Sequence, residues 1–374
     1  MMDKYVLGFN EVDKTSLPYV GGKGANLGEM LKAGFPIPQG FCVTTLAYRA
    51  FVQQSTEFSN LLDQLGQINP DDLEHIRKLG LIIREHLKSL SMPDDIRIDL
   101  LRAFQAVGVD KAYAVRSSAT AEDLPNASFA GQQDTYLNLR GSEQLLKAIQ
   151  NCWASLFTDR AIIYRAKNNF DHKGVFLSVV VQEMIFPEVA GIMFTADPIT
   201  GRRKTISIDA SFGLGEALVS GLVTADLYQV RSQKITKKQI SKKKIAIYSL
   251  PEGGTITKEI PPENQEMQAL EDAKIIELAE LGQKIEKHYG CEQDIEWGYG
   301  EGKFYILQSR PITSLFPVPQ VPDDKFRVFV SFGHIQVMTD AMKPLSISLV
   351  KNLTNFLKED ASGYNPFVYS AGGR

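Results

Sequence analysis

The sequence is poor in the features that mark membrane-spanning, secreted and zinc-binding proteins. No apolar run reaches the roughly 20 residues that a membrane-spanning helix needs. The first residues, MMDKYVLGFNEVD, contain no apolar segment of the kind found in signal peptides. The three cysteines form no CxxC pair, and none of the five histidines stands at the short spacing of zinc ligands. We therefore expect a cytoplasmic protein with reduced thiols and without a zinc site.

The chain also lacks a large net charge. Its 41 basic and 44 acidic residues give a formal charge of −3, which provides no general attraction to nucleic acids or anionic membranes. The one conspicuous basic run, residues 231–244, has no aromatic residues between its lysines and alternates with isoleucine. Nucleic-acid binding is an alternative for this run, and we favour a solvated hairpin edge protected by lysines.

The sequence does contain enough apolar material for a core. Hydrophobic residues make up 44% of the chain, which is ordinary for a globular protein. With 374 residues, the chain is long enough for two or three structural units. Apolar residues recur with helical periodicity over residues 45–108 and 142–167. A β-branched run at residues 175–184 is typical of a buried strand. Together these patterns predict a mixed α+β fold.

A polar stretch between two short predicted strands is the first candidate for a binding site. The apolar residues 113–115 deliver Arg116 at the end of one strand, and Thr135 begins the next. A guanidinium offers five donors in a fixed fork that suits a polyphosphate, and the hydroxyls of Ser117 and Ser118 add further donors. The alternative is a polar loop whose arginine makes a surface ion pair, and an isolated Arg-Ser-Ser sequence by itself favours this alternative.

A glycine turn precedes the first predicted helix. In VGGKGANLGEML, Leu27, Met30 and Leu31 share one helical face. The turn places Lys23 beside the helix N-terminus, where the backbone favours an anion. The spacing is not that of a Walker A loop, so a solvated lysine is the alternative that spacing alone favours.

Residues 293–310 predict a β-hairpin around a glycine-rich turn. Alternation puts Asp294 and Glu296 on one face of the first strand, with Gln308 and Arg310 sharing a face of the return strand. Carboxylate and amide oxygens suit Mg²⁺, and a neighbouring arginine can neutralise charge on a transferring phosphoryl group. A cross-strand Glu–Arg pair on an exposed sheet is the alternative.

These stretches resemble one family. The run VRSSATAEDLPNASFAGQQDTYLN is similar to the nucleotide loop of the ATP-grasp domain in phosphoenolpyruvate synthase, pyruvate phosphate dikinase and rifampin phosphotransferase. GGKGANLGEM, GLGE, DIEW and LQSRP resemble further motifs of that domain, and the resemblance covers roughly residues 5–313. It implies an ATP-grasp fold of two subdomains that enclose a nucleotide cleft, with ATP and Mg²⁺ as cofactors.

The resemblance also assigns expected roles to single residues. Lys23, Arg116 and Arg310 would hold phosphates, and the two arginines would act at the catalytic centre. Glu296 and Gln308 would bind Mg²⁺.

Three further residues would complete the nucleotide pocket by the same resemblance. They are Gly131, Thr135 and Gln182, of which Gln182 breaks the apolar character of its strand near the expected adenine pocket. The complete expected set is Lys23, Arg116, Gly131, Thr135, Gln182, Glu296, Gln308 and Arg310.

The domain organisation that follows has three parts. Residues 1–313 form the ATP-binding domain, residues 314–325 form a proline-rich linker, and residues 326–374 begin an acceptor-substrate domain that is truncated here. The segment GHIQVMTDAMKPLS resembles the opening of the substrate domain of rifampin phosphotransferases. Ala225 stands where phosphoenolpyruvate synthases carry proline.

The resemblance implies a reaction in which ATP first donates a pyrophosphoryl group to a histidine on a swivelling domain, expected downstream in the full-length protein, and AMP is formed. Phosphate then leaves, and the remaining phosphoryl group passes to an acceptor hydroxyl. We expect a rifamycin-type antibiotic as the acceptor and an incomplete turnover by this chain alone. The alternatives are phosphoenolpyruvate synthesis from pyruvate and a non-catalytic nucleotide-binding regulatory module. We expect neither nucleic acid nor membrane as a partner.

Overall fold

The computed structural model describes residues 4–120, 123–124, 127–128, 135–168, 170–313 and 315, which lie in the compact unit Met1–Leu315. Gly131, nearly all of the expected linker and the expected acceptor domain fall outside the described residues. The described part is a mixed α+β structure, as predicted.

Runs of helices and runs of strands follow one another along the described ranges. The helices are α1 (Leu17–Lys32), α2 (Thr45–Gln53), α3 (Thr56–Gly66), α4 (Leu73–Ser89), α5 (Asp94–Val107), α6 (Gly141–Ser155), α7 (Asp159–Lys167), α8 (Glu216–Val219) and α9 (Asp272–Tyr289). The strands are β1 (Val6–Gly8), β2 (Gly40–Val43), β3 (Ala112–Ala119), β4 (Asp123–Leu124), β5 (Ala127–Ser128), β6 (Thr135–Arg140), β7 (Leu177–Glu183), β8 (Val189–Phe194), β9 (Ile206–Phe212), β10 (Asp226–Arg231), β11 (Lys234–Gln239), β12 (Ile245–Ser249), β13 (Thr255–Glu259), β14 (Gln293–Gly300) and β15 (Lys303–Pro311).

The first large sheet is antiparallel, with the order β1-β2-β7-β3-β6. Its central strand β7 is buried on both faces, which explains the unbroken β-branched run. Val179 and Val181 pack into the core formed with α2 to α6, whereas Val180 packs into the core on the opposite face. The second core therefore lies on the side of this sheet that faces the rest of the unit.

The region predicted as one helix over residues 142–167 is two helices. α6 ends at Ser155, and α7 begins at Asp159 after Thr158, whose backbone is extended and whose side chain accepts a hydrogen bond from the Ala161 N–H. This N-cap supplies an acceptor for a free N–H group of α7. The Thr-Asp pair was the local signal for a break that the apolar periodicity concealed.

The second large sheet is also antiparallel, with the order β11-β10-β9-β8-β14-β15. β11 is an edge strand, and its lysines are exposed. The predicted lysine-protected hairpin edge is therefore confirmed for β10 and β11. Charged side chains on such an edge oppose pairing with another chain. Lys243, in the same basic run of residues 231–244, is fully buried, so the prediction of a solvated side chain was wrong there.

The two sheets share the second core, and α1 lies between them. α1 contacts β3 and β7 of the first sheet and β15 of the second. Its side chains Leu27 and Met30 join that core together with Ile208 of β9 and Ile295 of β14. One helix thus connects both walls of the space between the sheets.

None of the helices in the described ranges is both long and apolar enough to cross a membrane.

Candidate functional site

A cleft of about 510 Å³ opens between the two large sheets. Seven of the eight residues expected in the nucleotide site line this cleft, although they come from widely separated parts of the chain. They are Lys23, Arg116, Thr135, Gln182, Glu296, Gln308 and Arg310. The eighth, Gly131, lies outside the described residues.

Arg116 supplies a guanidinium from the first sheet. Contrary to expectation, it does not end its strand, because β3 continues to Ala119 and Arg116 lies directly opposite Thr135 of β6. Its Nη1 lies 3.4 Å from Glu296 Oε2 on the second sheet. This distance exceeds the roughly 2.7–2.9 Å of a strong charge-assisted hydrogen bond. The Arg116 Nε is buried and has no acceptor among the described residues, so the guanidinium retains capacity for an anionic ligand.

The glycine turn before Lys23 takes the form of a sharp bend inside α1. Gly21 adopts φ 66° and ψ 177°, so the regular helix restarts at Gly22 and Lys23 lies in its first turn. The predicted position of Lys23 near a helix N-terminus is therefore confirmed. Its side chain lines the cleft, as does that of Arg116.

Ser118 was expected among the anion-binding hydroxyls, and the structure contradicts this. The residue is fully buried, its Oγ donates to the Val20 carbonyl at 2.8 Å, and it accepts from the Gly24 N–H at 3.3 Å. Its hydroxyl is thus used to attach β3 to α1 on either side of the bend. Ser117 does line the cleft.

The hairpin of β14 and β15 forms the opposite wall, in the predicted arrangement. Asp294 pairs with Arg310 and Glu296 with Gln308 as direct cross-strand partners. Arg310 Nε and Nη2 each lie 2.8 Å from Asp294 Oδ2. Burial raises the pKa of the Asp294 carboxyl, and the charge of Arg310 opposes that rise. Asp294 therefore fixes the direction of the Arg310 side chain at the cleft.

Oxygen donors for a metal ion come from one cross-strand pair. Glu296 contributes a carboxylate and Gln308 an amide oxygen from adjacent strands, and both line the cleft. No group of three or more His, Cys, Asp or Glu side chains in the described part of the chain could hold a metal. A hard cation here would need further oxygen ligands from a bound molecule.

The far end of the cleft is apolar. Ala114, Met184 and Leu214 belong to a third buried cluster, and Leu137 packs against it. Gln182 is a polar side chain at this end and is only 1% exposed.

The GLGE turn borders the same end. Gly213 has φ 75°, and a Cβ on it would lie 2.3 Å from the Ile247 carbonyl oxygen, so glycine is required there. Gly215, Glu216 and Ser220 then line the cleft. Leu214 donates its N–H to the Ile247 carbonyl at 2.8 Å, which holds the turn against β12.

Sequence reasoning missed several residues of the site. Asp294 had a signal, since it alternates with Glu296, but it was not assigned a role. The apolar lining had none, because apolar residues in a strand or turn are typical of any core. The missed lining residues are Leu137, Met184, Ile185, Pro187, Leu214, Trp297 and Leu307.

The cleft therefore has an apolar end and a charged end on a scaffold of two antiparallel sheets. The sequence matches the family described as "Pyruvate phosphate dikinase, AMP/ATP-binding domain" over residues 17–323. The chain belongs to this family. The predicted ATP-grasp type of fold and the predicted use of ATP agree with this membership.

The proteins whose sequences are similar to this chain include rifampicin phosphotransferases and phosphoenolpyruvate synthases. The chain is 53% identical to a rifampicin phosphotransferase of Bacillus cereus. The aligned 348 residues cover 93% of this chain and 40% of that protein. The chain is 52% identical over 348 residues to a rifampicin phosphotransferase of Bacillus subtilis, with coverage of 93% and 40%. A probable phosphoenolpyruvate synthase of Pyrococcus horikoshii is 46% identical over 362 residues, with coverage of 84% and 44%. The chain thus spans about two fifths of the length of these relatives.

Proposed function

We propose that the cleft binds ATP with Mg²⁺ and prepares a phosphoryl group for transfer. The observation that carries this proposal is the convergence of seven expected residues on one cleft. Lys23, Arg116 and Glu296 stand far apart in the sequence, and an unrelated surface loop or an exposed ion pair would not bring them together.

The polarity of the cleft orients the nucleotide. Lys23, Arg116 and Arg310 surround the charged end, where phosphate oxygens would accept charge-assisted hydrogen bonds. The adenine ring would lie at the apolar end against Met184 and Leu214, since a flat aromatic ring is stabilised by leaving water.

Each charged side chain has a task in this proposal. Arg116 and Arg310 neutralise charge that develops on the transferring group, and Asp294 keeps Arg310 oriented. Glu296 and Gln308 would hold Mg²⁺, which supplies charge neutralisation of the phosphates. Lys23 contributes a compact positive charge in the first turn of the restarted helix.

Calorimetric titration of the 374-residue chain with Mg·ATP tests this proposal. The double variant Arg116→Ala/Arg310→Ala should weaken ATP binding by roughly a hundredfold or more, because hydrogen bonds to charged groups contribute about 1.5–3 kcal/mol each. The matched control is Arg77→Ala/Arg102→Ala, which removes two arginines whose side chains are 76% and 75% exposed. Equal ATP affinity in the two double variants would refute the proposed site.

For the whole protein we propose transfer through a phosphohistidine of a swivelling downstream domain to the hydroxyl of a rifamycin-type acceptor, with release of AMP and phosphate. Rifampicin phosphotransferases cover 93% of this chain at 52–53% identity, against 84% and 46% for the phosphoenolpyruvate synthase of P. horikoshii. This difference favours rifamycin, and pyruvate is the second candidate.

Competition between the two acceptors distinguishes these candidates. The full-length protein is given ATP, Mg²⁺, pyruvate and rifampicin together, and AMP and both phosphorylated products are measured. We expect AMP formation to follow rifampicin and phosphorylated rifampicin to accumulate. AMP formation that follows pyruvate and ignores rifampicin would refute the rifamycin assignment.

A further inference from the structure

Asn138 is a buried residue of β6 whose backbone departs from the regular strand. Two residues of β6, Leu137 and Asn138, stand opposite the single residue Ala114 of β3, which makes Asn138 part of a β-bulge. Its φ is 54°, a left-handed value that asparagine tolerates better than most residues, and it is 0% exposed. A bulge turns a side chain away from the direction it would take in a regular strand. The Asn138 amide is thereby aimed beyond β6, the last strand of the first sheet.

This amide holds the turn of the β12–β13 hairpin, which is formed by residues 250–254. The Asn138 Nδ2 donates to the carbonyls of Leu250 and Gly254, each at 2.7 Å. The Asn138 carbonyl in turn accepts from the Gly254 N–H at 3.0 Å. Gly253 packs so closely that a Cβ on it would lie 3.2 Å from the Asn138 carbonyl oxygen. Three hydrogen bonds of one residue thus attach the turn of the hairpin to the first sheet.

The other parts of the hairpin are attached to the second sheet. Gly213, directly after β9, forms an isolated β-bridge with Ile247 of β12, and the Leu214 N–H donates to the Ile247 carbonyl at 2.8 Å. The chain enters β12 from Lys243, which is buried against Asp226 of β10. The hairpin therefore runs from the second sheet, past the GLGE turn that borders the cleft, to the edge of the first sheet.

The position of the hairpin depends on these attachments, because a two-stranded hairpin is marginally stable on its own in water. Every residue of β13 is exposed, so core packing contributes little on that strand. Without the Asn138 amide, the hairpin would be fixed at the second sheet only, and the Ile247 carbonyl that holds the GLGE turn would move with it. We propose that Asn138 is a positioning residue, which holds the GLGE turn in its ligand-binding place through the β12–β13 hairpin. Asn138 itself does not line the cleft.

The variant Asn138→Asp tests this role. It keeps the size of the side chain and replaces Nδ2 with an oxygen, which would face two carbonyl oxygens. Gln150→Glu is the matched control, because the Gln150 Nε2 donates to the carbonyls of Leu87 and Leu90 at 2.8 and 2.7 Å. The control loses an equivalent pair of hydrogen bonds, but these join α6 to the C-terminal end of α4 in the helical core.

Hydrogen exchange of the nucleotide-free chain, followed by mass spectrometry, measures whether the hairpin and the GLGE turn depend on Asn138. We expect the amides of residues 213–219 and 245–259 to exchange about tenfold or more faster in Asn138→Asp, because their local opening no longer breaks these hydrogen bonds. Exchange in α4 and α6 should keep its wild-type rate. Gln150→Glu should show the reverse pattern, with faster exchange in α4 and α6 alone.

Titration with Mg·ATP measures the effect on the ligand, and this part of the inference rests on the proposed ATP site. We expect ATP to bind Asn138→Asp about tenfold more weakly, since the apparent Kd rises tenfold if the GLGE turn is in place for only a tenth of the time. Gln150→Glu should bind ATP with wild-type affinity. Asn138→Gly keeps the left-handed backbone and removes the amide. It provides the comparison if Asn138→Asp does not fold, with Gln150→Ala as its control.

Three results would overturn the inference while the ATP site stands. The first is equal exchange and equal ATP affinity in Asn138→Asp and Gln150→Glu. The second is faster exchange at the hairpin without a change in ATP affinity, because the hairpin would then not position the site. The third is faster exchange that extends to α4 and α6 in Asn138→Asp, which would indicate general destabilisation. Absence of ATP binding by the wild-type chain would instead overturn the proposed function, and the exchange rates would still decide whether Asn138 holds the GLGE turn.

Discussion

Gly21 is the single residue at which α1 bends, and its backbone sets the position of Lys23. The residue has φ 66°, and a Cβ on it would lie 2.3 Å from the Ser118 carbonyl oxygen and 2.4 Å from the Ser118 Oγ. Two separate effects therefore demand glycine. The first is the left-handed backbone, and the second is the close approach of β3.

A pair of glycine variants separates these effects. Gly34 has φ 82°, and no described atom lies within 4 Å of the position that a Cβ would take there. Gly34→Ala should therefore cost only about 1 kcal/mol of unfolding free energy for its backbone. Gly21→Ala should cost on the order of 2 kcal/mol more, because Ser118 must move as well. Urea unfolding of both variants provides the measurement, and equal losses would show that β3 yields to the added methyl without penalty.

The buried environment of His172 predicts how the free energy of unfolding responds to a decrease in pH. Its Nδ1 accepts a hydrogen bond from Arg165 Nε at 3.1 Å, and burial followed by the Arg165 charge lowers its pKa from 6.5 to about 4. Between these pH values the unfolded chain binds a proton at His172 that the folded chain does not bind. The free energy of unfolding should therefore fall as the pH decreases from 6.5 to 4, by at most about 1.4 kcal/mol per pH unit from this group.

Chemical unfolding at several pH values between about 4 and 7 measures this dependence. His172→Gln should show a shallower decrease than the wild-type chain, since it removes the titrating group. The exposed His75, which pairs with Asp72, is the control, and His75→Gln should keep most of the wild-type slope. A His172→Gln slope that equals the wild-type slope would contradict the assignment.

Among the larger elements, β10 and the segment that leads into β12 are joined by a fully buried ion pair. Lys243 Nζ lies 2.5 Å from Asp226 Oδ1, and both side chains are 0% exposed. Asp226 also accepts hydrogen bonds from the Tyr228 hydroxyl and from the N–H groups of Ser241 and Ala269. The carboxylate thereby connects β10 of the second sheet to the chain that approaches α9.

Removal of one partner should be costly because the other charge remains buried. We expect Lys243→Met to lower the unfolding free energy by about 3–5 kcal/mol. Lys238→Met is the control, since Lys238 pairs with Asp272 at the surface, where such pairs contribute at most about 1 kcal/mol. Urea unfolding compares the two variants. A loss in Lys243→Met no larger than that in Lys238→Met would show that the buried pair adds nothing to stability.

For the whole unit, we expect a ligand bound in the cleft to stabilise both sheets, because residues of both line it. The two tryptophans of the chain report on the two sides, because Trp153 lies in the core of the first sheet and Trp297 in the core shared with the second. A ligand that contacts both walls should stabilise both sides. Excess ATP at about a hundred times its Kd should add about 2.7 kcal/mol to the unfolding free energy.

Variants with a single tryptophan allow each side to be followed. Trp297→Phe leaves Trp153 as the reporter, and Trp153→Phe leaves Trp297. We expect Mg·ATP to raise the thermal midpoint seen by fluorescence in both variants. A rise confined to one reporter would mean that ATP contacts only one wall of the cleft.

Much of this site could be predicted from local patterns. The alternation in residues 293–310 was sufficient to predict the hairpin and the shared face of Gln308 and Arg310 on its return strand, because side chains in a strand alternate with a period of two. The glycines before Lys23 were sufficient to place it in the first turn of a helix. These are short-range properties, and the structure confirms them.

The other features of the site could not be predicted from local patterns, because they depend on contacts between distant segments of the chain. The proximity of Arg116 to Glu296 joins residues 180 positions apart, and no local pattern encodes such a distance. The use of the Ser118 hydroxyl to hold α1 was hidden for the same reason. The apolar end of the cleft was hidden because Met184 and Leu214 are typical core residues until the fold leaves an open space beside them.

The sequence by itself therefore determined the hairpin of residues 293–310, the glycine turn before Lys23 and the set of charged residues available for a polyphosphate, because these follow from local backbone preferences and side-chain periodicity. Only the tertiary structure decided that the charged residues lie at one end of a cleft and an unpartnered amide, Gln182, at the other. The physical reason is that two sheets packed across a shared core and one helix bring together residues whose separation along the chain carries no information about their separation in space.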